Sequence, residues 1–158
     1  MSSPKLIIAS TIILIILVCL EFLFIKFQLF GYAPHIGIFL HVLGGCFSGL
    51  LLYGIGMDSL IKTPILLQLI FVLGTVAIAA VTWEGFEWAL GMALNRRMQG
   101  SINNIMLDLF TGMIGGFIAC IWVYVLHVKG TRLKDSRNTG IQDPYTIKDY
   151  KNTGSVHD

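Results

Sequence analysis

The sequence predicts an all-α integral membrane protein, a four-transmembrane-helix antiparallel bundle, on three observations. The chain is 55% hydrophobic and only 13% charged, where a soluble domain carries about 25% charged residues. Its mean hydropathy is +0.77. Its apolar residues gather into four stretches, about 6–30, 35–57, 64–94 and 102–128, each long enough for the roughly 20 residues that a spanning helix needs. The links between them are short, and short links join antiparallel neighbours. Residues 1–128 are therefore one transmembrane domain, followed by a polar segment over 129–158.

The first stretch, Leu6 to Phe30, follows Lys5 and superficially resembles a secretory leader. It is too long for a typical leader core and no A-x-A site follows it, so it reads as a retained helix. The second, His35 to Met57, opens beside Pro34 and contains HVLGG; His35 reads as an interface residue. The third, Pro64 to Leu94, is overlong, which places its far end near the interface or tilts it. Asp58 and Ser59 belong to the turn before it, and Trp83 and Trp88 fit an interfacial aromatic belt. The fourth, Ile102 to Val128, is rich in glycine and follows the loop LNRRMQGSINN, where Ser101 or Asn103 can cap it. From Lys129 the chain turns polar with mixed charge and too little apolar surface for a core. It reads as a flexible cytoplasmic tail whose basic start favours anionic lipids.

An even number of spans puts both termini on one side. That side holds Lys5, Lys62, Lys129, Arg132, Lys134 and Arg137, against Lys26, Arg96 and Arg97 on the other. The excess places the N- and C-termini in the cytoplasm and the chain in the cell inner membrane, multi-pass. The net charge of +2 singles out no partner. Membrane lipids are the expected partners, nucleic acid is not, and a homo-oligomer or a larger membrane complex stays open. Cys19, Cys46 and Cys120 all fall inside helices without CxxC spacing, so they read as small core residues.

Ionisable groups inside the apolar stretches carry the functional signal, because each costs a few kcal/mol or more to insert into a bilayer. His41 and Asp108 each lie six residues into their helix, about 9 Å deep. Glu84 lies twenty residues beyond Pro64, about 30 Å from the opposite side, and Glu21 lies fifteen beyond Leu6. With antiparallel helices these groups and Glu87 share the outer half of the membrane. Residues three or four apart share a helix face. On that basis His41 aligns with Gly45 and Gly49, Glu84 with Ala77, Ala80, Glu87 and Gly91, and Asp108 with Asn104, Gly112 and Gly116. Small residues on those faces permit close packing in lipid. His41, Gly45 and Gly49 also repeat the spacing of Asp108, Gly112 and Gly116, as two parallel hairpins would; chance repetition of glycine is the competing reading.

Two carboxylates at i, i+3, as in Glu84 and Glu87, share a face and cannot both stay ionised when buried unless a cation or proton is shared. A divalent metal held by His41, Glu84, Glu87 and Asp108 satisfies that condition. Nitrogen and oxygen donors suit zinc, manganese or iron alike. Asn104, Gln99 and Glu21 can hydrogen-bond to the ligands from outside. An ExxH di-iron signature is absent. The competing readings are groups that pair with one another or with Arg96 and Arg97 to fix helix register, and a metal-free proton or substrate path. His127 and His157 carry no assignment. The two arginines form a positive rim that suits a lipid phosphate or simply snorkels to the interface.

The segments HVLGG (His41 to Gly45), WEGFEW (Trp83 to Trp88) and MQGSINNIMLDLFTGMIGG (Met98 to Gly116) resemble the YjdF-like family of bacterial inner-membrane proteins. His41, Glu84, Glu87, Gln99, Gly100 and Asp108 fall on that family's pattern, whereas Ser101 and Asn104 stand where it more often has aspartate. The last helix is also loosely similar to VanZ-type membrane proteins. The resemblance implies a membrane protein and no defined activity. The leading function is a divalent-metal-binding membrane protein, with a metal-dependent lipid-modifying or hydrolytic enzyme as its extension. A small proton-coupled transporter and a structural or accessory subunit of a membrane complex are the alternatives.

Overall fold

The computed structural model describes residues 3–27, 29, 35–95 and 101–139, without the side chains of residue 3 and of 130–139. Among the described residues the regular elements are four α-helices: α1 (Ser3–Lys26), α2 (His35–Leu60), α3 (Ile65–Ala93) and α4 (Ile102–Thr139). Each is long and apolar enough to cross a membrane, over Pro4–Lys26, His35–Leu60, Ile65–Ala93 and Ile102–Lys129. The expected four-helix architecture is present.

The helix ends follow from local chemistry. α2 runs three residues past Met57, and the Thr63 hydroxyl then donates to the Leu60 carbonyl at 2.8 Å, tying off an orphan acceptor. Pro64 precedes α3, where its missing N–H costs nothing. α3 stops at Asn95, which adopts the left-handed φ of 50° that asparagine tolerates at a helix end. The Ser101 hydroxyl accepts from the Asn104 N–H at 3.4 Å, the expected N-cap of α4. α1 ends at Lys26, short of the expected Phe30.

α4 continues to Thr139, so the start of the segment read as a flexible tail is helical. Nothing in KGTRLKDSRNT breaks a helix beyond one glycine, and the next proline is Pro144. Residues 140–158 lie outside the described ones. By contacts the chain divides into residues 1–124, which hold the bundle, and 125–158.

Within residues 1–124 the buried core is Leu6, Leu50, Tyr53, Val72, Val76, Ala119, Cys120 and Val123. It lies mainly toward the ends of α2 and α4 and the starts of α1 and α3. Tyr53 donates to Gln68 Oε1 at 3.0 Å and Gln68 donates to the Thr63 carbonyl at 2.9 Å, so two fully buried polar side chains tie the α2–α3 hairpin. Glycines set the closest approaches. A Cβ at Gly45 would strike the Gly112 carbonyl, and one at Gly115 would strike the Val42 carbonyl. Val76, wholly buried, fits against Gly49 and Gly116, where added Cβ atoms would come within 3.0 and 3.1 Å of it. α2 and α4 thus run parallel and backbone to backbone, with α3 antiparallel to both.

Candidate metal centre

Each helix brings an acid or histidine to the other half of the bundle: Glu21 near the end of α1, His41 near the start of α2, Glu84 and Glu87 late in α3 and Asp108 early in α4. Glu84 is 7% and Glu21 8% exposed. The side chains of His41 and Asp108 are 15% and 26% exposed.

His41 Nε2 stands 3.6 Å from Asp108 Oδ1, beyond hydrogen-bond length. One donor atom from each of His41, Glu84 and Asp108 lies within 4.8 Å of the others. Ligands held at about 2.1 Å in a tetrahedral site sit roughly 3.4 Å apart. The trio's donor atoms, up to 4.8 Å apart, are more widely spread than bound ligands would be. One imidazole and two carboxylates are a donor set that suits a borderline divalent ion.

Glu87, the fourth expected ligand, is not among the three. Three residues subtend all but about 60° of a full turn, so Glu87 points aside from Glu84. Its carboxylate lies near the Trp83 side chain, with Glu21 and Asp108 among its charged neighbours. Glu21, expected only as an outer hydrogen-bond partner, lies close enough to Asp108 and Glu84 for their charges to repel. Asn104 is exposed. Arg96, Arg97, Gln99 and Gly100 lie outside the described residues.

A cavity of about 150 Å³ lies beside the trio, with Glu21, His41 and Trp83 in its wall. Trp83 therefore lines the cavity, against the belt position expected of it, whereas Trp88 is 59% exposed. No residue pattern marks the cavity directly. Glu21 is marked by one: it precedes His41 by nearly the interval that separates Glu87 from Asp108. The three cysteines are free; Cys120 is buried near the Leu69 carbonyl at 3.7 Å, Cys46 is half-buried and Cys19 is exposed.

No curated protein and no solved structure matches this chain. Residues 3–129 match the family described as "Predicted membrane protein (DUF2238)", and with the match spanning all four membrane helices the chain belongs to that family.

Proposed function

We propose that the protein binds a divalent metal within the membrane through His41, Glu84 and Asp108, with Glu21 and Glu87 as flanking carboxylates. The observation that carries this reading is the convergence of three donor atoms, from three different helices, to within 4.8 Å of one another. A buried cluster of acids is costly without a cation or shared protons to balance it. Three protein ligands leave a coordination position for water, and a metal-bound water is the nucleophile of a hydrolytic reaction. The reaction class we propose is therefore metal-dependent hydrolysis or modification of a lipid. The excess of Lys and Arg on the terminus side supports cytoplasmic termini in an inner membrane, which puts the site toward the extracytoplasmic face. The HVLGG, WEGFEW and MQGSINN segments support a place among YjdF-like proteins. The apolar core that fills the other half of the bundle tells against the transporter reading.

The test is elemental analysis of protein purified in mild detergent without chelator and incubated with zinc, manganese or iron, beside the Glu84→Gln/Asp108→Asn variant. Near-stoichiometric metal in the parent, lost from a folded variant, supports the site. No metal in either removes it.

A further inference from the structure

We propose that the cavity beside the trio is a channel for one hydrocarbon chain, and that the ligand of this site is a single-chain amphiphile with an oxygen-donor headgroup. This rests on the metal reading above, because the open coordination position is what holds the headgroup.

The cavity is long and has one polar end. Its walls come from Leu14–Glu21 on α1, Leu40–Ser48 on α2 and Val76–Trp83 on α3, with Gly112 of α4. Each of the three long walls covers eight or nine residues, about 10–12 Å along the helix. The helix directions gather Glu21, His41 and Trp83 at one end and Leu14, Ser48 and Val76 at the other. A volume of about 150 Å³ spread over that length makes a half-open groove that admits the axis of one chain and not two. Below the polar end the wall is Leu, Val, Ala and Gly, and the Ser48 hydroxyl is already committed to the Gly45 carbonyl at 3.1 Å. Water is a poor occupant of such a space, since it needs polar partners. Ligand sites are typically apolar with a few converging polar groups, which is this arrangement.

Gly44 supplies the second observation. Its neighbour Gly45 is required by the contact with α4, but a Cβ at Gly44 would meet nothing within 4 Å. Glycine weakens a helix relative to alanine, so packing gives no reason for it here. Gly74 and Gly85 are equally unconstrained but lie on the exposed surface, whereas Gly44 lines the cavity. The missing side chain at Gly44 keeps the groove open. At the polar end a divalent ion balances the charges of Glu84 and Asp108, and its remaining position takes an oxygen of the headgroup. Without metal, the acids would instead select a cationic headgroup.

The experiment uses the full chain in lipid nanodiscs, metal-loaded, with Trp88→Phe and Trp122→Phe so that Trp83 is the sole tryptophan, excited selectively over the tyrosines. Both replaced residues are exposed, at 59% and 54%. The probe is an alkyl phosphate brominated along its chain, which quenches a tryptophan that it touches. The expected result is saturable quenching, reversed by unbrominated alkyl phosphate. Gly44→Leu should weaken it by about tenfold or more, since a filled groove excludes the chain, and should leave the metal content unchanged. Gly44→Ala, which adds one methyl, should give a smaller loss and covers the case in which leucine disturbs folding. Quenching that rises without saturation, or that is the same in Gly44→Leu and Gly44→Ala as in the parent, overturns the channel. Preference for an alkylammonium of equal length overturns the headgroup assignment. Saturable quenching sensitive to Gly44→Leu in protein that holds no metal supports the channel and overturns the metal site, so the two readings fail separately.

Discussion

His41 on α2 and Asp108 on α4 face each other at 3.6 Å from matching positions on two parallel helices. The same sequence offset relates Gly45 to Gly112, whose backbones touch, and Gly49 to Gly116, which both receive Val76. One pattern is thus used twice: a donor side chain, then two glycines one and two turns deeper. The glycines let the helices close, and the closure is what brings the donors within reach of one ion. The repeated spacing in the sequence has a physical counterpart in this pairing.

Asp108→Asn should separate metal binding from folding. The amide keeps the shape of the side chain but loses the charge and most of the affinity for a divalent ion. Loss of partners that only orient ligands costs roughly 10–100-fold in affinity, and loss of a direct ligand should cost at least that. Metal titration followed by elemental analysis checks it. Retained stoichiometry at unchanged affinity would remove Asp108 from the site.

Two glycines one helix apart should respond in opposite ways. Gly45→Ala drives a methyl group into the Gly112 backbone, which cannot give way as a flexible side chain would. Overpacking of this kind costs about 1–3 kcal/mol, read as a lower melting temperature in detergent. Gly74→Ala meets nothing within 4 Å and should be neutral or stabilising by roughly 0.5–1 kcal/mol, since alanine favours the helix. Equal melting of the two variants would contradict the α2–α4 contact.

The four helices were legible because hydropathy marks where lipid must be met. It marks the limits of the membrane and not the limits of the helix, which is why α4 runs on to Thr139 through residues with no apolar signal. His41, Glu84 and Asp108 could be brought together from depth and facing alone. Glu87 could not be separated from Glu84 that way, because an i, i+3 pair shares a face only to within about 60°. The cavity was illegible, since it is made by side chains that are absent, and only the redundant glycine beside Gly45 hinted at it.

Sidedness has a direct check. In a background lacking Cys19, Cys46 and Cys120, a single cysteine replaces either Ser59, at the end of α2, or Leu94, just past α3. Both positions are exposed and α3 lies between them. With cytoplasmic termini, an impermeant maleimide added to right-side-out vesicles should label Leu94→Cys at once and Ser59→Cys only after permeabilisation. The reverse order would put the termini outside and the acid cluster near the cytoplasmic face.

Glu21→Gln should stabilise the metal-free protein and weaken its response to metal. Glu21 is buried on α1 beside Asp108 and Glu84, close enough for mutual repulsion. The amide removes one member of a crowded set of acids, so the metal-free fold loses a repulsive contact. A gain of about 1 kcal/mol would raise the melting temperature by roughly 2–4 °C in a chain of this size. Metal acts in the other direction. An ion that binds only the folded state stabilises it by about 2.7 kcal/mol at a hundredfold excess over Kd, and part of its affinity here comes from relieving that same repulsion. The variant therefore starts higher and gains less on metal addition. A purely structural Glu21, paired for helix register, gives the opposite result: the variant melts lower with or without metal, and the increment on adding zinc, manganese or iron is unchanged. Melting curves of both proteins, each with chelator and with metal, distinguish the two roles in a single set of measurements.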